Sequence, residues 1–192
     1  MRVRNVPAAI ALLALSACAG EAPGDDASVR VGVDASMTPS PKPIAPVRTW
    51  RIVVDPNVPA WEASVVDEAL RAWQREIPCD VSFVIERRRV TPIDAMLPPP
   101  GVVELQMGKP PGGVGWADWD PRGRFGARLV FLPNETERDR DDFLRVVEHE
   151  LGHAFHLEHS AEGLMADPPK LGVRVGPIEG TAYASRWCPT ST

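Results

Sequence analysis

His149, His153, His156 and His159 are the only four histidines in this 192-residue chain, and they fall within eleven consecutive positions. Histidines serving as ordinary core or surface residues would scatter, so the clustering needs a chemical reason. The first five residues of the run read His149-Glu150-Leu151-Gly152-His153. On a helix, positions four apart share a face and are separated by about 6 Å of rise. Two imidazoles so placed can both reach one divalent ion at the usual zinc–nitrogen distance of about 2.0–2.1 Å. The intervening Glu150 is then held beside the ion's open position, where a water binds.

A third ligand has two candidates. His156 shares the helix face of His149 and His153, but seven residues of helix span about 10.5 Å, too far for one ion to be bound by all three. His159, arriving after a chain reversal, fits better. Met165 follows His159 by six residues. Together these residues resemble the metzincin metallopeptidases, with their H-E-x-x-H-x-x-G-x-x-H motif and later Met-turn, and most closely the matrixin type. The resemblance implies zinc bound by His149, His153 and His159, with Met165 packing beneath the metal without ligating it. It implies a zinc-dependent endopeptidase, hydrolysing peptide bonds through a metal-bound water with Glu150 as general base. One position departs from the family: His156 stands where glycine normally ends the helix with positive φ. That departure supports a competing reading, a catalytically impaired metzincin-like surface lipoprotein acting as a binding module. A gluzincin-type arrangement would instead take Glu179, 26 residues after His153, as the distant ligand, leaving His159 and Met165 unexplained. A serine triad is excluded, since every histidine lies in the cluster.

The elements that must position this site are legible in outline. Thr136 to Asp139 has capping-box spacing and opens a helix running through Phe155, its buried face carrying Phe143, Val146, Val147, Leu151, Ala154 and Phe155. Acidic residues at its start suit the positive end of the helix dipole. Upstream, 50–54 reads as a strand rich in β-formers. Residues 59–77 form a helix with Val65, Val66, Ala69, Leu70, Trp73 and Ile77 as its apolar stripe, ended by Pro78. Strands follow at 81–89, with Val81, Phe83 and Ile85 facing inward, and at 102–107, 114–119 and 127–132. A weak final helix at 180–187 carries Tyr183 and Trp187 toward the core. This order is similar to the metzincin upper subdomain. The fold expected is α+β: a small mixed twisted sheet, two main helices and a short C-terminal subdomain. By the same resemblance, 114–119 is the edge strand, where an extended peptide can add by β-augmentation. Its tryptophans are equally compatible with a core role. Asp118, Asp120 and Gly123 read as a plain turn, lacking the full oxygen set of a calcium loop.

Residues 1–17 read as an export signal: Arg2 and Arg4, an apolar run too short to span a bilayer, then Leu15-Ser16-Ala17-Cys18. The last four resemble a bacterial lipobox, which implies acylation of Cys18 and a stable membrane anchor. Ala19 after the cysteine points to the outer membrane if the envelope is Gram-negative. Residues 18–47, with a Pro-x-Pro-x-Pro run, form a linker. The catalytic domain spans 48–192, about 145 residues and enough for one core. Cys79 and Cys188 remain, and in an exported protein two leftover cysteines most simply pair. Charged residues make up 24% and hydrophobic residues 44%, an ordinary globular mixture. The net charge of −5 is diffuse and argues against nucleic acid as a partner.

Overall fold

The computed structural model describes residues 47–110, 114–133, 140–166 and 172–189. Five strands and three helices follow in the order β1 (Thr49–Val54), α1 (Ala60–Glu76), β2 (Ser82–Arg87), β3 (Val102–Met107), β4 (Gly115–Trp119), β5 (Ala127–Phe131), α2 (Arg140–Ala154) and α3 (Pro177–Trp187). The strands form one mixed sheet in the order β2-β1-β3-β5-β4. Four run parallel, and β4 pairs antiparallel with β5, Ala117 lying opposite Leu129. The fold is α+β, as expected.

Helices α1 and α2 share one face of the sheet. Val65, Val66, Ala69, Leu70 and Trp73 of α1 are buried, the stripe its periodicity calls for. Trp73 Nε1 donates to the Glu148 carbonyl of α2 at 3.1 Å. Phe143 of α2 meets Trp61 and Phe131 edge-on or tilted, at 5.7 and 5.5 Å between ring centroids. These contacts seat α2 across the sheet, so the histidines on its last turns have a rigid support.

The opposite face is closed by an ion pair rather than a helix. Arg128 and Glu104 alternate with Leu129 and Leu105 and are buried on the far side. The Arg128 guanidinium, 3.4 Å from Glu104, also donates to the carbonyls of Ile93, Ala95 and Met96 and to Thr91 Oγ1. A charge buried this deeply needs such partners. Four of them come from one short connection, which is thereby fixed over the sheet. This is why β3 and β5 are buried along both faces.

Two elements differ from the sequence reading. Of the expected inward row, Val81, just before β2, is buried and Phe83 reaches the core, stacked on Phe155 at 5.5 Å, but Ile85 does not. Ile85 and Val84 are 43% and 44% exposed, because β2 is the other edge of the sheet and pairs with β1 alone. Helix α3 begins three residues earlier than expected, at Pro177, where proline is well tolerated in a first turn. The expected cap at Thr136 to Asp139 lies outside the described residues.

Cys79, just beyond α1, and Cys188, just beyond α3, form a disulfide, with Cα atoms 5.8 Å apart and a sequence separation of 109. It ties α3 to the main body, where Tyr183 accepts a hydrogen bond from Trp50 Nε1 at 2.8 Å. No helix among the described residues is long and apolar enough to cross a membrane.

Candidate metal centre

Helix α2 carries His149, Glu150 and His153 on its last turns, and its ending decides where the chain goes next. The Leu157 amide donates to the Gly152 carbonyl at 2.9 Å and the His156 amide to the His153 carbonyl at 2.8 Å. This 6→1 and 5→2 pair is a Schellman motif, which needs a left-handed residue at the first of its two donors. That residue is His156, at φ 65°, the one described non-glycine residue with positive φ. The reversal that glycine provides in the resembling family is made here by a histidine.

His156 is anchored for the task. Its Nδ1 donates to the Asp120 carbonyl at 2.8 Å, and its ring packs among Trp50, Trp119 and Trp187. Burial lowers its pKa to about 4, so it is neutral at neutral pH. Trp187 Nε1 meanwhile caps the Phe155 carbonyl at 2.7 Å. His156 is therefore a structural residue on the far side of the helix end.

After the reversal, His159 returns to His149 and His153. One ring nitrogen from each of the three lies within 4.8 Å of the others. His153 Nε2 and His159 Nε2 are 3.2 Å apart. Two nitrogens bound tetrahedrally to one zinc at about 2.0–2.1 Å would stand about 3.3 Å apart, so the separation already fits a shared ion. The other ring nitrogens are held as ligands require: His149 Nδ1 lies 2.9 Å from the Leu164 carbonyl and His153 Nδ1 lies 2.8 Å from the Leu157 carbonyl. A carbonyl only accepts, so both Nδ1 atoms carry the proton and both Nε2 lone pairs point elsewhere. Burial lowers the His153 pKa to about 4, favouring the neutral, metal-binding form. The donor set fits a single divalent ion.

Met165 is buried below this group. A Cβ on Gly152 would collide with Met165 Sδ, so Met165 lies flush against the helix between the two histidine turns, and only glycine leaves it room. The Ser160 amide donates to the Met165 carbonyl at 2.8 Å, closing the turn. Glu179, the gluzincin alternative, is placed elsewhere. Its Oε1 accepts from the Leu164 amide at 2.6 Å and its Oε2 from the Gly176 amide at 3.0 Å. That carboxylate holds the turn whose Leu164 carbonyl orients His149, and the gluzincin arrangement is not formed.

Glu150 faces an open cleft of about 280 Å³ that it shares with Trp116, Ala117, Trp119, His153, Glu158 and His159. A Cβ on Gly115 would come within 3.1 Å of its Cγ and 2.7 Å of Val146 Cγ1, so the bare backbone of β4 lets the helix approach. Desolvation pushes the Glu150 carboxyl up to about 8. Trp119 lies parallel to the His153 ring at 6.1 Å, which ties the cleft wall to the metal group. The Asp120 carboxylate, read from sequence as part of a plain turn, accepts from the Arg122 and Arg124 amides and from Arg124 Nε. These bonds hold its pKa below the ordinary value despite desolvation.

Sequence reasoning missed several supporting groups. Glu148, buried beside His149, takes a two-pronged ion pair from Arg174 at 2.6 and 2.7 Å, fastening the segment before α3 to the metal helix. Gly152 and Gly115 stood in the sequence as ordinary glycines. Their signal, glycine inside a helix and at a strand start, was visible but had no partner attached to it.

No family model matches the chain, and no curated protein matches it. Among solved structures it is similar to high choriolytic enzyme 1, a hatching enzyme zinc-protease from the medaka fish Oryzias latipes, at 18% identity and a TM-score of 0.37, covering 59% of this chain and 46% of that one. It is also similar to metalloproteinase-II from Bacteroides fragilis, at 12% identity and a TM-score of 0.48, covering 76% and 54%. This chain thus spans about half the length of each. At such TM-scores the likeness decides nothing about function, which rests on the histidine geometry alone.

Proposed function

We propose that this protein is a zinc-dependent endopeptidase of metzincin type, matrixin-like in its motif, with His149, His153 and His159 as metal ligands and Glu150 as general base. The observation that carries the reading is the convergence of three imidazole nitrogens within 4.8 Å, with two Nδ1 protons already committed to backbone carbonyls. Zinc, when bound, supplies Lewis-acid polarisation of a carbonyl and lowers the pKa of water. Glu150 supplies the proton traffic. As a carboxylate beside the bound dication, it takes a proton from the attacking water and returns it to the departing amine. Met165 and Gly152 hold the floor, while Glu179 and the Leu164 carbonyl fix the angle of His149. An extended peptide lies along β4, whose outer edge pairs with no other strand among the described residues.

The binding-module alternative drew its support from His156. That residue closes the helix as glycine would and reaches no ligand position, so it gives no reason to assume a decayed site. We further propose that the chain is exported and lipid-anchored through Cys18, with 18–47 as the linker to the catalytic domain.

Two variants test the function. Glu150→Ala should keep stoichiometric zinc and lose at least about a hundredfold in cleavage of an unstructured protein, whereas His153→Ala should lose the metal. Full turnover in Glu150→Ala would reject the base assignment.

A further inference from the structure

The cleft beside the histidines carries a carboxylate that the proposed hydrolysis does not use. Glu158, exposed, lies between Leu157, whose carbonyl orients His153, and His159, and it lines the cleft together with Trp116 and Trp119. No cationic side chain among the described residues pairs with it, although Arg124, Arg128, Arg140 and Arg174 all have acidic partners. An exposed glutamate is ordinarily just solvated. This one stands at the mouth of a cleft with two indoles in its walls and one further carboxylate, Glu150, inside. Indole faces attract guanidinium and ammonium groups, and a carboxylate at the rim complements the same charge. A divalent ion at the histidines would repel a cationic side chain nearby, and Glu158 is placed to offset that repulsion.

We propose that Glu158, with Trp116 and Trp119, selects peptides bearing arginine or lysine next to the scissile bond. This rests on the peptidase reading above and specifies its substrate class. Glu158 acts on substrate binding rather than on the chemical step, so its effect belongs in KM more than in kcat.

The test uses a peptide set identical except for one residue, Arg, Lys, norleucine or Glu, placed in turn at each position flanking the cleaved bond. Wild-type protein loaded with zinc should favour Arg and Lys over norleucine by about five- to twentyfold in kcat/KM at the preferred position. Glu158→Gln should reduce the preference to about threefold or less, and Glu158→Lys should turn it toward the Glu peptide. Binding is read separately in the Glu150→Ala background by tryptophan fluorescence, where the same ordering of Kd is expected without turnover. Cleavage with no preference for Arg and Lys, or a preference unchanged in Glu158→Gln, overturns this inference and leaves the peptidase reading standing. If no peptide of the set is bound or cut by the zinc-loaded protein, both fall together.

Discussion

Replacing His156 by glycine, the residue that ends the corresponding helix in the resembling family, should destabilise this protein. Backbone considerations alone predict the reverse, because a left-handed conformation costs a non-glycine residue about 1–2 kcal/mol. His156 holds that conformation at φ 65°, so glycine would relieve it. Against this stand three losses. The Asp120 carbonyl, bonded to His156 Nδ1 at 2.8 Å, would be left without its partner, at a cost of about 1–3 kcal/mol. Removing a ring that is 1% exposed among Trp50, Trp119 and Trp187 leaves a void costing about 2 kcal/mol. Glycine adds about 0.5–1 kcal/mol of unfolded-chain entropy. The net is a loss of roughly 3 kcal/mol at pH 7. The difference should also depend on pH, since burial lowers the His156 pKa to about 4 from an ordinary 6.5. Between those values the unfolded chain binds the proton and the folded one does not, so this contribution to stability falls as pH falls. By pH 4.5 the wild type should have lost about 2–3 kcal/mol that the glycine variant never had, nearly closing the gap. Urea unfolding of both proteins in the metal-free form, at pH 7 and pH 4.5, measures this. A glycine variant as stable as wild type at pH 7 would show that His156 is merely tolerated.

Three further outcomes follow from the same geometry. Gly152→Ala should displace Met165 and cost about 1–3 kcal/mol in chemical denaturation, with weaker zinc binding in a competition titration. Glu179→Ala frees the Leu164 amide and loosens the carbonyl that orients His149; zinc affinity should fall about 10- to 100-fold, as for the loss of other groups that orient a ligand, while the ligand set itself stays intact. Replacing both Cys79 and Cys188 by serine should lower stability by up to about 4–5 kcal/mol, seen as a shifted thermal midpoint, because the bridge closes a loop with a sequence separation of 109.

What the sequence made legible was local. His149 and His153 are one helical turn apart, so their convergence follows from helix geometry alone. The α1 stripe and the bounds of β3 likewise follow from short-range periodicity and turn residues. What it hid was set by contacts far along the chain. His156 meets Asp120 across 36 positions and Glu148 meets Arg174 across 26, and no spacing rule links either pair. Nor does alternation reveal that β2 would be a sheet edge, which leaves Ile85 half exposed instead of buried. Nothing in the spacing singles out Glu158, and only the folded cleft sets it beside two tryptophans.

The central claim is that His149, His153 and His159 share one ion. X-ray absorption at the zinc edge, on protein dialysed against zinc and then freed of excess metal, tests it most directly. One zinc per chain is expected, with three imidazole nitrogens and one oxygen at about 2.0–2.1 Å, reduced to a nitrogen-poor, weakly held shell in His159→Ala. Protein that retains no zinc, or a first shell unchanged by His159→Ala, would contradict it.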